Sequence, residues 1–396
     1  MIPTLRRHAR RTLDTLALPR EAKLERQRDA AGLPALDAGT ERVLPEVMAW
    51  LCRAQDASAS HDGGVARDFS LVKGWATSYP ETTGYIVPTM LEYARRSGQA
   101  DYRERALRMA DWLVKIQLPD GAFQGGRIDS VPVQATTFNT GQILLGLAAA
   151  EAETGRYREP MRRAADWLVL HQDPDGCWRR YGSPFAAAGE KQYETHVAWG
   201  LFEAERVDPG RGYGDAGLAN VRWALGGQTA NGWFDRCCLS DVTQPLTHTL
   251  GYTLRGVIEA YRLRPDPSLL AAAERTASAL LRALGPDGTL PGRFAADWKP
   301  TVDWVCLTGA AQVALCWMLL FRITGRADWF EAARRANAFV RRSVHLQGPA
   351  AQRGGVKGSF PVQGEYGPYE YLNWAAKFLA DSLMLEADLL AETAGR

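Results

Sequence analysis

Trp112-Leu113-Val114-Lys115-Ile116-Gln117-Leu118-Pro119-Asp120-Gly121-Ala122-Phe123 places a tryptophan five residues before a glutamine and closes on Asp-Gly and an aromatic ring. The arrangement returns as Trp167 to Gln172 with Asp175-Gly176-Cys177-Trp178, and as Trp223 to Gln228 with Asn231-Gly232-Trp233. A worn copy runs from Trp50 to Gln55. Asp-Gly and Asn-Gly favour turns, because the short polar side chain bonds nearby backbone and glycine accepts positive φ. A recurring helix, turn and helix cannot cover its own apolar face and must stack on its neighbours.

Each join leads to a polar or aromatic cluster followed by a small residue that opens an apolar helix. The small residues are Gly84, Gly141, Ala198, Gly251, Gly309 and Ala375, at spacings of 57, 57, 53, 58 and 66. This pattern predicts six helix pairs. Outer helices are expected near residues 43–55, 102–117, 158–172, 214–227, 267–283 and 328–344. Inner helices are expected near 81–95, 137–154, 194–206, 248–262, 303–324 and 371–391, with Ser97-Gly98 stopping the first. The outer helices are amphipathic, as with Arg103, Arg105, Arg108 and Lys115 set against Leu107, Ala110, Leu113 and Val114. The inner helices are apolar on nearly every face, the mark of a helix covered all round. No strand pattern interrupts the alternation. The fold class that follows is all-α, two concentric rings in one toroid domain over residues 41–396, preceded by a basic arm over residues 1–40. The arm reads as a structural helix strapped across the ring, its thin stripe of Leu5, Leu13, Leu16 and Leu18 offering little to a membrane or partner.

With 47 basic and 45 acidic residues, the chain lacks the charge footprint of a nucleic-acid binder. Six cysteines without a C-x-x-C pair, two of them adjacent, argue against a disulfide framework and fit a reducing compartment. The N-terminus has many arginines and no apolar signal core, and no stretch is read as a membrane span, so the expectation is a cytoplasmic protein without stable membrane insertion. Cys237, Cys238 and His248 are the only local set for zinc, and adjacent thiols suit one ion poorly, so no metal and no cofactor are expected.

The six alternating pairs resemble the (α/α)6 toroid of six-hairpin glycosidases, uronate lyases and C5-epimerases, shared also by terpene cyclases and protein prenyltransferases. The Trp/Gln and Asp-Gly-x-aromatic joins are similar to the QW repeats of squalene and hopene cyclases over residues 43–240. In that family the repeats are structural, the Gln bonding the next helix start and the aromatic packing over it, so the resemblance implies a fold rather than a chemistry. The closing segment, from Gly354-Gly355-Val356-Lys357 through Tyr369-Glu370-Tyr371-Leu372-Asn373-Trp374, resembles bacterial proteins associated with surface-polysaccharide synthesis, which implies polysaccharide-synthesis partners.

In such a toroid the inner helices run parallel, and six N-termini open on one mouth with unpaired N–H groups and partial positive charge, suited to an anionic ligand. Two residues before the small residue stand Thr82, Asn139, His196, Thr249, Leu307 and Asn373. Glu81 and His248 lie one position earlier, and each Thr or Asn also reads as a simple helix cap. The catalytic candidates are Glu194, His196, His248, Glu81 and Tyr371, which supply acid, base and charge stabiliser. Both Glu194 and His196 reach the mouth only if Glu194 sits at the cap of its helix. The substrate-binding candidates are Tyr79, Asn139, Tyr193, Trp199, Tyr252, Asp303, Trp304, Tyr369, Asn373 and Lys377; for the tyrosines, packing is the competing reading.

No D-x-D-D or D-D-x-x-D run occurs, which weighs against a terpenoid cyclase or prenyltransferase-like enzyme. The expected function is a carbohydrate-active enzyme acting on an anionic, uronic-acid-containing saccharide or polysaccharide, by epimerisation, β-elimination or hydrolysis. The residues leave these reactions open, together with a non-catalytic glycan-binding scaffold.

Overall fold

The structure is a computed structural model and describes residues 17–394. The ring is built from outer helices α2 (Thr40–Asp56), α4 (Ala100–Ile116), α6 (Arg158–Leu170), α8 (Tyr213–Leu225), α10 (Pro267–Ala283) and α12 (Ala327–Arg342). Inner helices α3 (Pro80–Ser97), α5 (Thr137–Thr154), α7 (Thr195–Val207), α9 (Thr247–Leu263), α11 (Leu307–Thr324) and α13 (Asn373–Ala394) alternate with them. Each inner helix packs on the next and α13 returns to α3, so the ring closes. The fold is therefore the all-α (α/α)6 barrel that the spacing predicts.

The small residues at the inner-helix starts are there for close approach. A Cβ added at Gly146 would lie 2.3 Å from the Gly84 carbonyl oxygen, and one at Gly200 would lie 2.4 Å from that of Gly141. Successive inner helices thus touch backbone to backbone, a distance only glycine allows. Inner helix α11 is long and apolar enough to cross a membrane by length and composition, yet 78% of that window is buried inside the ring.

The joins account for the Trp/Gln repeat. Asp120, Asp175 and Asn231 accept from the backbone N–H two residues ahead, each at 3.1 Å, which sets the turn. Gly176, at φ +93°, then packs against Ala219 of the neighbouring outer helix. Gln117 donates to the carbonyls of Gly121 and Pro160, Gln172 to those of Gly176 and Ala216, and Gln55 to those of Gly63 and Arg105. Each glutamine ties its own turn to the next outer helix, rather than to the next helix in sequence. Gln172→Ala should lower stability by about 1–3 kcal/mol through two unmet carbonyls, measured by denaturant unfolding; an unchanged midpoint would remove this role.

The sequence shows no strands, and the structure adds, among the described residues, five of two or three residues, all in the joins. Strand β1 (Asp68–Ser70) pairs antiparallel with β2 (Gly74–Trp75) and with β5 (Glu370–Leu372), while β3 (Val305–Cys306) pairs with β4 (Ser359–Phe360). The β1–β5 pairing sews the first join to the last, Phe69 facing Tyr371, and completes the ring at the mouth. These segments are too short for alternation to register in sequence.

Within the arm, helix α1 (Arg20–Ala30) docks on the outside of the last join. Lys357, 1% exposed, donates to Glu25 at 2.7 Å and to Asp29 at 2.5 Å. His345 lies 2.8 Å from Glu25, and the Val362 N–H donates to Asp29. Burial raises the Asp29 carboxyl; at Glu25 burial is outweighed by the His345 hydrogen bond and the Lys357 charge, which bring it down to about 2. Residues 1–16, with Arg6, Arg7, Arg10 and Arg11 of the basic run and Leu5, Leu13 and Leu16 of the apolar stripe, lie outside the described residues.

Candidate active site

At the mouth a cavity of about 770 Å³ is lined from the joins and the first turns of the inner helices. Tyr85 and Tyr252, a turn or more inside α3 and α9, lie deepest, with their hydroxyls 3.5 Å apart. Glu81, Phe138, Tyr193, His248 and Trp374 come from helix starts, and Tyr79, Trp75 and Tyr366 from the adjoining joins. Arg67, Asp68 and Glu370 stand on the β1–β5 seam, and Lys73, Arg127 and Phe185 form the rim.

Glu81 sits in the first turn of α3 with 9% of its surface exposed. Burial raises its carboxyl to about 7, against the smaller lowering effects of the Tyr79 hydroxyl and the Arg67 charge. His248, in the first turn of α9, is 2.5 Å from the Gln312 amide oxygen through Nδ1. An amide oxygen only accepts, so Nδ1 carries the proton and Nε2 keeps its lone pair. Burial lowers this imidazole to about 4, despite the Gln312 hydrogen bond that raises it. The Tyr252 ring packs against His248 at 4.3 Å between centroids. Arg67 donates to Asp68 at 2.5 Å and to Glu370 at 3.0 Å and lies 5.2 Å over the Trp374 ring, so this cation is already matched. Lys73 is exposed on the rim, where Arg127 forms an exposed ion pair with Asp129 at 3.4 Å. Three acidic side chains, Asp68, Glu81 and Glu370, share the mouth with Arg67, Lys73 and Arg127, so it is of mixed charge rather than uniformly positive.

Of the residues singled out in sequence, Glu81, His248, Tyr79, Tyr193 and Tyr252 meet in this cavity. The others do not line it. Glu194 does cap α7, but its side chain turns into the protein beside Lys191, and burial raises it to about 8. His196 is wholly buried between α7 and α5, with Nδ1 2.6 Å from the Gln142 amide oxygen. Two residues past the cap, the helix turn has rotated it into the ring wall. Trp199 lies deeper, donating to Glu203 under the Arg255 guanidinium. Lys377 is paired with Asp381 at 2.6 Å, beneath Phe378 and Tyr85. Asn373 donates to the Ala66 carbonyl and the Thr82 hydroxyl, locking ring closure, and Asn139 is buried in the wall of α5. Tyr371 is buried on β5 with its ring toward Glu25 and Asp29 of the arm, because successive strand residues face opposite ways and Glu370 takes the cavity side. Asp303, Trp304 and Tyr369 line a separate groove.

Sequence reasoning passed over Arg67, Asp68, Lys73, Trp75, Arg127 and Glu370, which lie on loops and two- or three-residue strands. It also passed over Tyr85, Phe138, Tyr366 and Trp374. A usable signal was present in Phe138 and Trp374, which flank the same helix-start positions as Glu81 and His248.

Residues 77–254 match the squalene-hopene cyclase C-terminal domain family. Among solved structures, the chain is similar to an unsaturated glucuronyl hydrolase specific for heparin, with TM-score 0.72 and 16% identity over 89% of this chain and 98% of that one. It is similar to a D-mannose isomerase at TM-score 0.69 and 11% identity, covering 89% and 99%. The cellobiose 2-epimerase of Bacillus thermoamylovorans B4167 superposes at TM-score 0.65 and 9% identity, covering 87% and 97%. No curated protein sequence matches the chain. These likenesses show the fold: the chain has the (α/α)6 toroid architecture of the solved structures it is similar to, and its residues 77–254 are similar to the squalene-hopene cyclase C-terminal domain.

Proposed function

We propose that this protein is a carbohydrate-active enzyme whose cavity takes a sugar bearing an acidic group, and that Glu81 and His248 move protons on it. One observation carries the reading: a carboxyl that holds its proton to about 7 and a neutral imidazole line the same aromatic cavity. Glu81 is then the acid. His248, through Nε2, is the base that takes the proton next to the sugar's carboxylate. Lys73 and Arg127 meet that carboxylate, and Trp75, Tyr193 and Trp374 offer ring faces to the sugar. This is the proton inventory of epimerisation or β-elimination. The similar solved structures named as glycan or sugar enzymes support the substrate class through their fold.

Hydrolysis is the second reading, favoured by Asp68 and Glu370 beside Glu81, although Arg67 engages both. A polyene cyclase would use the aromatic rings without needing the ionised Arg67, Lys73 and Arg127, and the family match over residues 77–254 includes Trp/Gln joins whose polar atoms are spent on backbone.

Incubation with uronic-acid oligosaccharides separates these reactions. An unsaturated product absorbing at 232 nm marks elimination, solvent deuterium in the sugar marks epimerisation, and new reducing ends mark hydrolysis. Binding without any of the three would make the protein a glycan-binding scaffold. Absence of binding would overturn the substrate class.

A further inference from the structure

Two histidines of the ring are held in the same way. His248 of α9 donates from Nδ1 to the Gln312 amide oxygen of α11 at 2.5 Å, and His196 of α7 donates from Nδ1 to the Gln142 amide oxygen of α5 at 2.6 Å. Among the described residues, the side-chain nitrogen of each glutamine is buried without a hydrogen-bond partner, so neither glutamine is placed for its donors. Each serves as an acceptor. The two imidazoles lie against the ring of Tyr252, at 4.3 Å for His248 and 4.4 Å for His196 between centroids. They differ in what the second nitrogen meets. Nε2 of His196 is sealed in the wall without a partner, whereas His248 lines the cavity with 6% of its surface exposed.

Ring packing does not by itself choose between the nitrogens of His248. Tyr252, Tyr366 at 5.3 Å and Phe378 at 6.2 Å hold the plane of the imidazole, but a ring flipped within that plane fills nearly the same space. Only a hydrogen bond tells Nδ1 from Nε2. The Gln312 side chain is itself fixed, because Gly251 of α9 leaves the room it occupies. A Cβ at Gly251 would lie 3.0 Å from Gln312 Cβ and 3.2 Å from its amide oxygen.

We propose that Gln312 is the positioning residue of the cavity base, holding His248 as the Nδ1–H tautomer and turning the Nε2 lone pair toward the ligand. This role rests on the reading of His248 as the base. The titratable groups around the imidazole do not compete with the amide. Burial holds the Tyr252 and Tyr366 hydroxyls well above the usual phenol range and the Cys306 thiol at about 12, and it keeps His196 well below the usual imidazole range. From α13 the contact is the uncharged Phe378.

The test is imidazole-nitrogen NMR of the full chain with labelled histidines, assigned with His248→Gln, together with turnover on the responsive uronic-acid substrate. Wild-type His248 should carry its proton on Nδ1 at neutral pH. Gln312→Met, which keeps the length and removes the acceptor, should mix the two tautomers and lower kcat by about 10²-fold with KM nearly unchanged. Gln312→Glu, which keeps an acceptor oxygen, should retain the proton on Nδ1 and shift the acid limb of the pH profile upward by about 1–3 units, since a carboxylate favours the imidazolium. Gln142→Met, the same change in the wall, should disturb His196 and leave the His248 signals and kcat as in wild type. An Nε2–H tautomer in the wild type, as a flipped amide would impose, an unchanged tautomer in Gln312→Met, or loss of the Nδ1 proton in Gln312→Glu overturns the proposal. A changed tautomer with unchanged kcat would uphold the hold of Gln312 on the ring and count instead against His248 as the base.

Discussion

Glu81→Gln should lower kcat/KM on the responsive uronic-acid substrate by about 10²- to 10⁴-fold, the usual contribution of a positioned general acid. The wild-type pH profile should be a bell with limbs near 4 and 7, set by His248 losing its proton and Glu81 keeping its own. The same substitution should also stabilise the fold at alkaline pH. The folded-state value of Glu81 is raised from 4.5 to about 7, so its contribution to stability is fully present below about 4.5 and is lost as pH rises through 7. Glutamine cannot ionise and escapes that loss, a difference on the order of 3 kcal/mol at most by pH 8. A variant with lost activity and higher stability at pH 8 would separate a catalytic role from a folding defect. Activity retained above one tenth of wild type would remove Glu81 from the mechanism.

Lys357→Met should destabilise the protein by about 3–5 kcal/mol near pH 7, because it leaves the buried Glu25 and Asp29 without their shared cation. The sign depends on pH. Burial raises the Asp29 carboxyl above its ordinary value, so acidification should recover part of the loss by protonating it, while the His345 hydrogen bond continues to favour the charged form of Glu25. Lys357 pairs with Tyr371 in a β-bridge, and the next strand residue, Glu370, reaches the cavity through Arg67. Loosening the arm should therefore reach the seam of the candidate active site. Thermal unfolding at pH 7 and pH 5 checks this; a midpoint shift under 2 °C at pH 7 would show that the arm adds little.

The ring was readable because its determinants are local and repeated. Gly84, Gly141 and Gly309 recur where backbones touch, and Asp120-Gly121, Asp175-Gly176 and Asn231-Gly232 recur where the turns must be tight. Residues with one physical reason at a constant spacing need no knowledge of distant partners. Helix starts were legible for the same reason, and they brought Glu81 and His248 to the cavity.

Which side of each helix start faces the mouth was another matter. Glu194 and His196 follow the same pattern as Glu81 and His248, yet they turn away, because the short 3₁₀ turn Gln192–Glu194 and the packing of α7 on α5 set a rotation that the pattern does not encode. The seam of Arg67, Asp68 and Glu370 joins residues 303 apart in sequence through a strand pairing of three residues. So the repeat spacing alone determined the toroid, its six pairs and the mouth at which the cavity opens. The assignment of polar side chains to cavity, groove or wall came from helix rotation and ring closure, which are long-range packing events.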